Sequence, residues 1–265
     1  ITTRLVGSEM CIRDSSYDGA HGWNTEWPRI RNVGTDDQPD YLMTMHGLFW
    51  RFPKLFTADN SAGIRPRSSY LKVIGDFARW NDELVFGCDD SAQKEFLNKR
   101  KAKGNIEGPG QSNSNLWFTS LTKPDELGPA TADGAIWEKE DVQANVYSDP
   151  YMFAGWEQRC CWMQNDGKQD ITFTFEIDQK GNNVWKELTA VQVKAGQSAY
   201  LPFAAEEQGE WIRVKIDKES NVSVSFVYTT VDTRSSASSS MFNGLSKVSE
   251  ENTCLLYTSP SPRDA

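Results

Sequence analysis

The side chains best suited to chemistry lie between His46 and Tyr70. Arg65 and Arg67 flank Pro66, which stiffens a loop read from Pro53 to Ser69. Two rigidly held guanidiniums present forks that match a carboxylate or a sulfate. The same pattern also fits a solvated loop with surface ion pairs. His46 sits in the apolar run YLMTMHGLFWRF, directly before Gly47. It titrates near neutrality, as a general base or acid must. A lone histidine in an apolar strand equally fits a hydrogen-bonded core position. Asp89 and Asp90 read as caps for one or two helical turns at Ser91–Leu97 rather than as acid catalysts. His21 is the only other histidine, and neither CxxC nor HExxH occurs. A multi-histidine metal site is therefore excluded unless carboxylates dominate it, and neither metal nor cofactor is expected.

These residues need a rigid frame, and the patterning is that of strands. Tyr70–Phe77 and Leu84–Cys88 read as a hairpin around Arg79–Glu83. Tyr41–Phe52 reads as one strand, with Gly47 marking a bulge or a close approach. Ser114–Leu121, Gly134–Trp137 and Tyr151–Ala154 read as further strands, separated by Pro, Gly and Asp turn signals. From Ile171 to Tyr228 the alternation becomes regular: ITFTFEID, WKELTAVQV, SAYLPFA, WIRVKI and VSVSFVY. In WIRVKI, Trp211, Arg213 and Lys215 share one face, and Ile212, Val214 and Ile216 share the other. Strands with turns between them and almost no helix make the chain all-β.

The net charge of −9 and a pI near 4.9 argue against a nucleic-acid partner. No run approaches the ~20 apolar residues of a membrane helix. Aromatics make up 12% of the chain, including ten Trp, and such rings serve cores and also stack on sugars. Residues 1–15 and 254–265 read as translated sequencing adapter, because the DNA encoding LVGSEMCIRDS is complementary to that encoding CLLYTSPSPR. Setting those tails aside leaves Cys88, Cys160 and Cys161, too few for a disulfide framework. The vicinal pair Cys160–Cys161 reads as two small residues on opposite faces of a strand.

The segments MHGLFWRFPK (Met45–Lys54), GIRPRSSYLKVIGDF (Gly63–Phe77), RWNDELVFGCDDSA (Arg79–Ala92) and EFLNKRKAKG (Glu95–Gly104) resemble bacterial β-propeller proteins of polysaccharide degradation. That broad class includes propeller-fold ulvan lyases and rhamnosidases. The resemblance implies a part of a β-propeller over residues 16–168, while the five regularly spaced alternating strands of Ile171–Tyr228 read as a small β-sandwich over 169–232. A Ser-rich linker and the start of a truncated segment come next at 233–253. It implies an exported protein, periplasmic or extracellular, acting on a uronic-acid polysaccharide by lyase or hydrolase chemistry. In that picture His46 and Tyr70 move protons, Arg65 and Arg67 hold the uronate, and Trp50 or Trp80 forms the sugar platform. The partners are a polysaccharide or oligosaccharide and the remaining blades of a longer chain. The alternative is a non-catalytic glycan-binding or structural module, with exposed Trp residues and affinity without turnover.

Overall fold

The computed structural model describes residues 28–45, 47–70, 73–89 and 114–233. Within them the chain is all-β, with antiparallel pairing throughout and one short 3-10 turn at Lys123–Asp125. The expected adapter tails, the Ser91–Leu97 turns, the Ser-rich segment from Arg234 onward and His46 lie outside the described residues.

The first half forms two up-and-down meanders. Strands β1 (Arg29–Asn32), β2 (Tyr41–Met45), β3 (Leu48–Phe52) and β4 (Arg65–Ser69) lie side by side in chain order. Strands β5 (Val73–Trp80), β6 (Glu83–Asp89) and β7 (Ser114–Ser120) form a three-stranded sheet in the same way. This is the local connectivity of propeller blades. The β5–β6 hairpin closes between Trp80 and Glu83, with Asn81 at φ 56° as a tight turn requires. Tyr41–Phe52 is not one strand. Met45 opposes Leu48, so the chain reverses at Gly47, whose φ is +70°. Its lack of alternation has a physical cause: the sheet is covered on both faces. Met43, Met45 and Trp50 join one core, while Leu42, Phe49 and Tyr70 join another beneath β5–β7. A strand buried on both sides reads as a continuous apolar run.

The second half is an eight-stranded sandwich. Its strands are β8 (Thr131–Val142), β9 (Tyr151–Met152), β10 (Gln158–Asn165), β11 (Ile171–Asp178), β12 (Trp185–Val193), β13 (Ser198–Phe203), β14 (Trp211–Ile216) and β15 (Ser220–Thr229). One sheet runs β13-β10-β15-β8 and the other β12-β11-β14-β9. The pairing is nested: β11 with β12, β10 with β13, β9 with β14, and β8 with β15. Nested pairing across two sheets is jelly-roll topology. The sandwich therefore begins at β8, not at residue 169, and the strands in 131–165 belong to it rather than to the meanders. Local alternation does not reveal such pairings, because the partner strands are far apart in sequence.

The interior is aromatic. Phe226 is fully buried and packs on Tyr151 (4.7 Å), Tyr228 (5.7 Å) and Phe203 (6.3 Å). Meander and jelly roll share this core, with Trp50 edge-on to Trp156 at 5.9 Å. Gly155 has φ +86°, and a Cβ there would stand 2.6 Å from Pro66 and 2.8 Å from Arg65. Trp211 Nε1 donates to Ser61 Oγ at 2.9 Å, and Ser61 donates its amide to the Gly181 carbonyl at 2.8 Å. Replacing Phe226 with Ala is expected to cost about 3–5 kcal/mol, read as a lowered urea midpoint. An unchanged midpoint would contradict this account of the core.

Candidate functional site: an aromatic sheet face

Most of the residues expected to act on a uronate are already engaged within the chain. Arg65 lies on β4, not in a loop, and its guanidinium grips Glu210 through two bonds of 2.7 and 2.6 Å. Arg67, also on β4, forks onto Asp125 with two bonds of 2.7 Å and donates to Asp40 at 3.1 Å. Burial lowers the Arg67 pKa, but those two carboxylates outweigh it and hold it above the ordinary value. Both forks thus carry carboxylates of the chain itself. Tyr70 is buried against Phe49 at 4.5 Å. Burial pushes its phenol well up, against opposing hydrogen bonds with the Thr44 side chain and the Gly47 backbone. Trp50 is 1% exposed and donates Nε1 to the Met45 carbonyl, so it is a core residue and offers no sugar platform. Trp80 is 65% exposed. It shares the outer face of β5–β7 with the exposed Leu116 and Phe118, an aliphatic and aromatic patch with Val85 and Ala78 between. His46 lies outside the described residues.

A different set of residues converges on the outer face of the β13-β10-β15-β8 sheet. In β10 the pleat alternates: Arg159, Cys161, Met163 and Asn165 point inward, while Gln158, Cys160, Trp162 and Gln164 point outward. In β13, Ala199, Leu201 and Phe203 face in and Ser198, Tyr200 and Pro202 face out. Trp162 and Tyr200 are direct cross-strand partners, 41% and 64% exposed. The next strand places Ser225 opposite Trp162 and the exposed Val227 opposite Cys160. Gln164, Ser198 and Ser223 form the neighbouring polar row.

The sheet beneath is fixed. Asn165, fully buried, donates to the carbonyls of Gln169 (2.8 Å) and Val193 (3.2 Å). Its Oδ1 accepts from the Gly167 amide and the Ser220 hydroxyl. The neighbouring Cys160 thiol raises the Tyr200 pKa. The Cys160 thiol also donates to the Val227 carbonyl at 3.4 Å. Cys160 and Cys161 are both free, one part-exposed and the other buried, on opposite faces of the strand. An exposed pair of aromatic rings flanked by amides and hydroxyls can stack on an apolar ring and hydrogen-bond neutral hydroxyls.

Sequence reading sets Cys160 and Cys161 on opposite faces of a strand, as β10 does, but passes over the exposed face that this strand carries. The available signal is parity. Trp162 and Tyr200 fall on the same alternation as Gln158, Gln164 and Ser198, the side expected to meet water.

The opposite sheet carries a charged face, with the alternation expected for WIRVKI. Glu176 accepts from Arg213 (2.6 Å) and Tyr147 (2.7 Å). The Arg213 guanidinium lies between the Tyr147 ring (3.7 Å) and the Trp185 ring (4.3 Å). This network is internally satisfied. Among the described residues no helix is long and apolar enough to cross a membrane.

No family model matches the chain, and no curated protein matches it. Similar solved structures include the SPBc2 prophage-derived protein YomS, at 6% identity and TM-score 0.30, over 38% of this chain and 95% of that one. A glycoside hydrolase family 43 arabinoxylan arabinofuranohydrolase from Bacillus subtilis is 11% identical with TM-score 0.25, over 74% of this chain and 55% of that one. A chain described as CBM4 is 8% identical with TM-score 0.19, over 60% of this chain and 77% of that one. At these scores none of them assigns a family or an activity.

The Arg65–Glu210 clamp has a pH signature. Burial raises the Glu210 pKa, but the Arg65 hydrogen bonds, the Gly63 amide and the Arg65 charge more than offset it, leaving the carboxyl below its ordinary value. A carboxyl lowered in the folded state stabilises the fold above its unfolded pKa, and that contribution disappears as pH falls through the folded value. Glu210→Gln is expected to cost about 1.5–3 kcal/mol at neutral pH, the scale of hydrogen bonds to a charged group. It should also leave a shallower loss of stability on acidification. Urea melts across that pH range check both, and a variant matching the parent at neutral pH would refute the clamp.

Proposed function

We propose that this chain binds carbohydrate, without turning it over, on the jelly-roll face that carries Trp162 and Tyr200. The observation that carries this reading is the exposed cross-strand pair of aromatic rings on a rigid sheet. A sugar ring offers an apolar face to the indole and phenol, while Gln164, Ser198 and Ser225 meet its hydroxyls. Rings on a strand pair are pre-ordered, so little conformational entropy is lost when the ligand arrives. The ligand in this reading is a polysaccharide or oligosaccharide met outside the cytoplasm, by an exported protein.

The catalytic reading assigns proton transfer on an acidic polysaccharide to His46 and Tyr70 and carboxylate binding to Arg65 and Arg67. It requires both arginines to release carboxylates they already hold, and a buried phenol to reach the substrate. Binding through the aromatic face needs no such rearrangement.

Affinity electrophoresis through gels containing soluble glucans, xylans or galactans tests the proposal. Retardation is expected in at least one of the gels. Trp162→Ala and Tyr200→Ala should each weaken it about tenfold or more while thermal unfolding stays close to the parent. Retardation that survives both substitutions would place the ligand elsewhere. Retardation in none of the gels would remove the carbohydrate reading.

A further inference from the structure

The Trp162–Tyr200 face is also distinctive in its charge. The strands β13, β10 and β15 contain no Asp, Glu or Lys at all. Their single ionisable base, Arg159, is 5% exposed and points inward, with its guanidinium 3.9 Å over the Phe153 ring. The outward rows are Pro202–Cys160–Val227, Tyr200–Trp162–Ser225 and Ser198–Gln164, the last continued by Ser223, which is covered at 6% exposure. None of these side chains offers a cation to a carboxylate or sulfate.

The rim of the face is acidic. Asp133 lies opposite Val227 on the β8 edge and is exposed. Further along β8, past Glu138 and Lys139, Asp141 lies opposite Asn221. Asp141 accepts from Asn221 at 2.8 Å, and Lys139 gives its backbone amide to Ser223. Asp166, just past the end of β10, accepts from Gln164 at 3.0 Å. The whole chain adds a net charge of −9. A polyanion laid on this face would meet no cationic side chain on its outward rows, and at the β8 edge it would meet Asp133 and Asp141 with Lys139 between them.

We infer, building on carbohydrate binding at this face, that it selects neutral polysaccharides and discriminates against uronic-acid and sulfated ones. Specificity of this kind arises from repulsion of the wrong ligand as much as from attraction of the right one. The basic residues that invite an acidic ligand in the sequence, Arg65 and Arg67, lie on β4 and are each already paired with carboxylates of the chain.

Two polymers with one backbone separate charge from shape: hydroxyethyl cellulose, which is neutral, and carboxymethyl cellulose. Arabinoxylan and glucuronoxylan form a second pair. At low salt the neutral member is expected to bind at least about fivefold more tightly. Added sodium chloride should strengthen binding of the acidic member and leave the neutral one nearly unchanged, because screening removes repulsion. Asp133→Lys should raise affinity for the acidic member severalfold with little effect on the neutral one. Equal or tighter binding of the acidic member at low salt, weakened by salt, would overturn the inference while sparing the carbohydrate reading. Binding of neither member in both pairs, with no retardation in any of the glucan, xylan or galactan gels, overturns both.

Discussion

The nested pairing of β8 with β15, β9 with β14, β10 with β13 and β11 with β12 is the constraint on which the rest depends. It forces two sheets to close over a single aromatic interior, where Phe173, Phe175 and Phe226 are fully buried. Once one parity of each strand is committed to that interior, the other parity must face outward. The exposure of Trp162 and Tyr200 results from Cys161, Met163, Ala199 and Leu201 lying on the inner side, the first two with no exposure. The Trp162–Tyr200 face is the back of the core, and its rigidity is inherited from it.

Charge in this protein joins elements more than it addresses ligands. Arg65 binds the meander to the jelly roll through Glu210, and Arg67 ties β4 to Asp40 and to Asp125 in the turn after β7. With only 5% of its side chain exposed, Arg67 would be costly to leave unpaired. Withdrawing either arginine to meet a substrate would loosen the contact that seats the first sheet. Gly155 adds to that seat by letting the backbone approach Pro66 without a side chain between.

Much of the fold was legible in the sequence. The segments ITFTFEID, WKELTAVQV and WIRVKI coincide with β11, β12 and β14 because each is buried on one face only, which makes alternation visible. The Arg79–Glu83 turn was legible because tight hairpins leave a local signature. The long-range facts were not. Arg65 and Glu210 stand 145 residues apart, and Arg67 and Asp125 stand 58 apart, so neither pairing has a local trace. Two exposed guanidiniums and two paired ones look alike in sequence. Trp50 and Trp162 likewise look alike until the sheets are placed: one is sealed between two layers and the other stands on the outside. Cys160 and Cys161 were read on a strand, but the extent of β10 and the exposure of Trp162 were not, because Arg159, Cys160, Cys161 and Trp162 blur the polar and apolar alternation that its neighbours show.

The position of Cys160 gives the molecule a built-in optical handle. Of the cysteines among the described residues, Cys88 and Cys161 are buried and Cys160 alone is part-exposed. It lies opposite Pro202, in the row next to the Trp162–Tyr200 pair. With Cys11 and Cys254 replaced, a thiol-reactive fluorophore would attach on this face, beside the indole and phenol. Quenching by those rings would then report how the surface is occupied, in real time and without any labelled sugar.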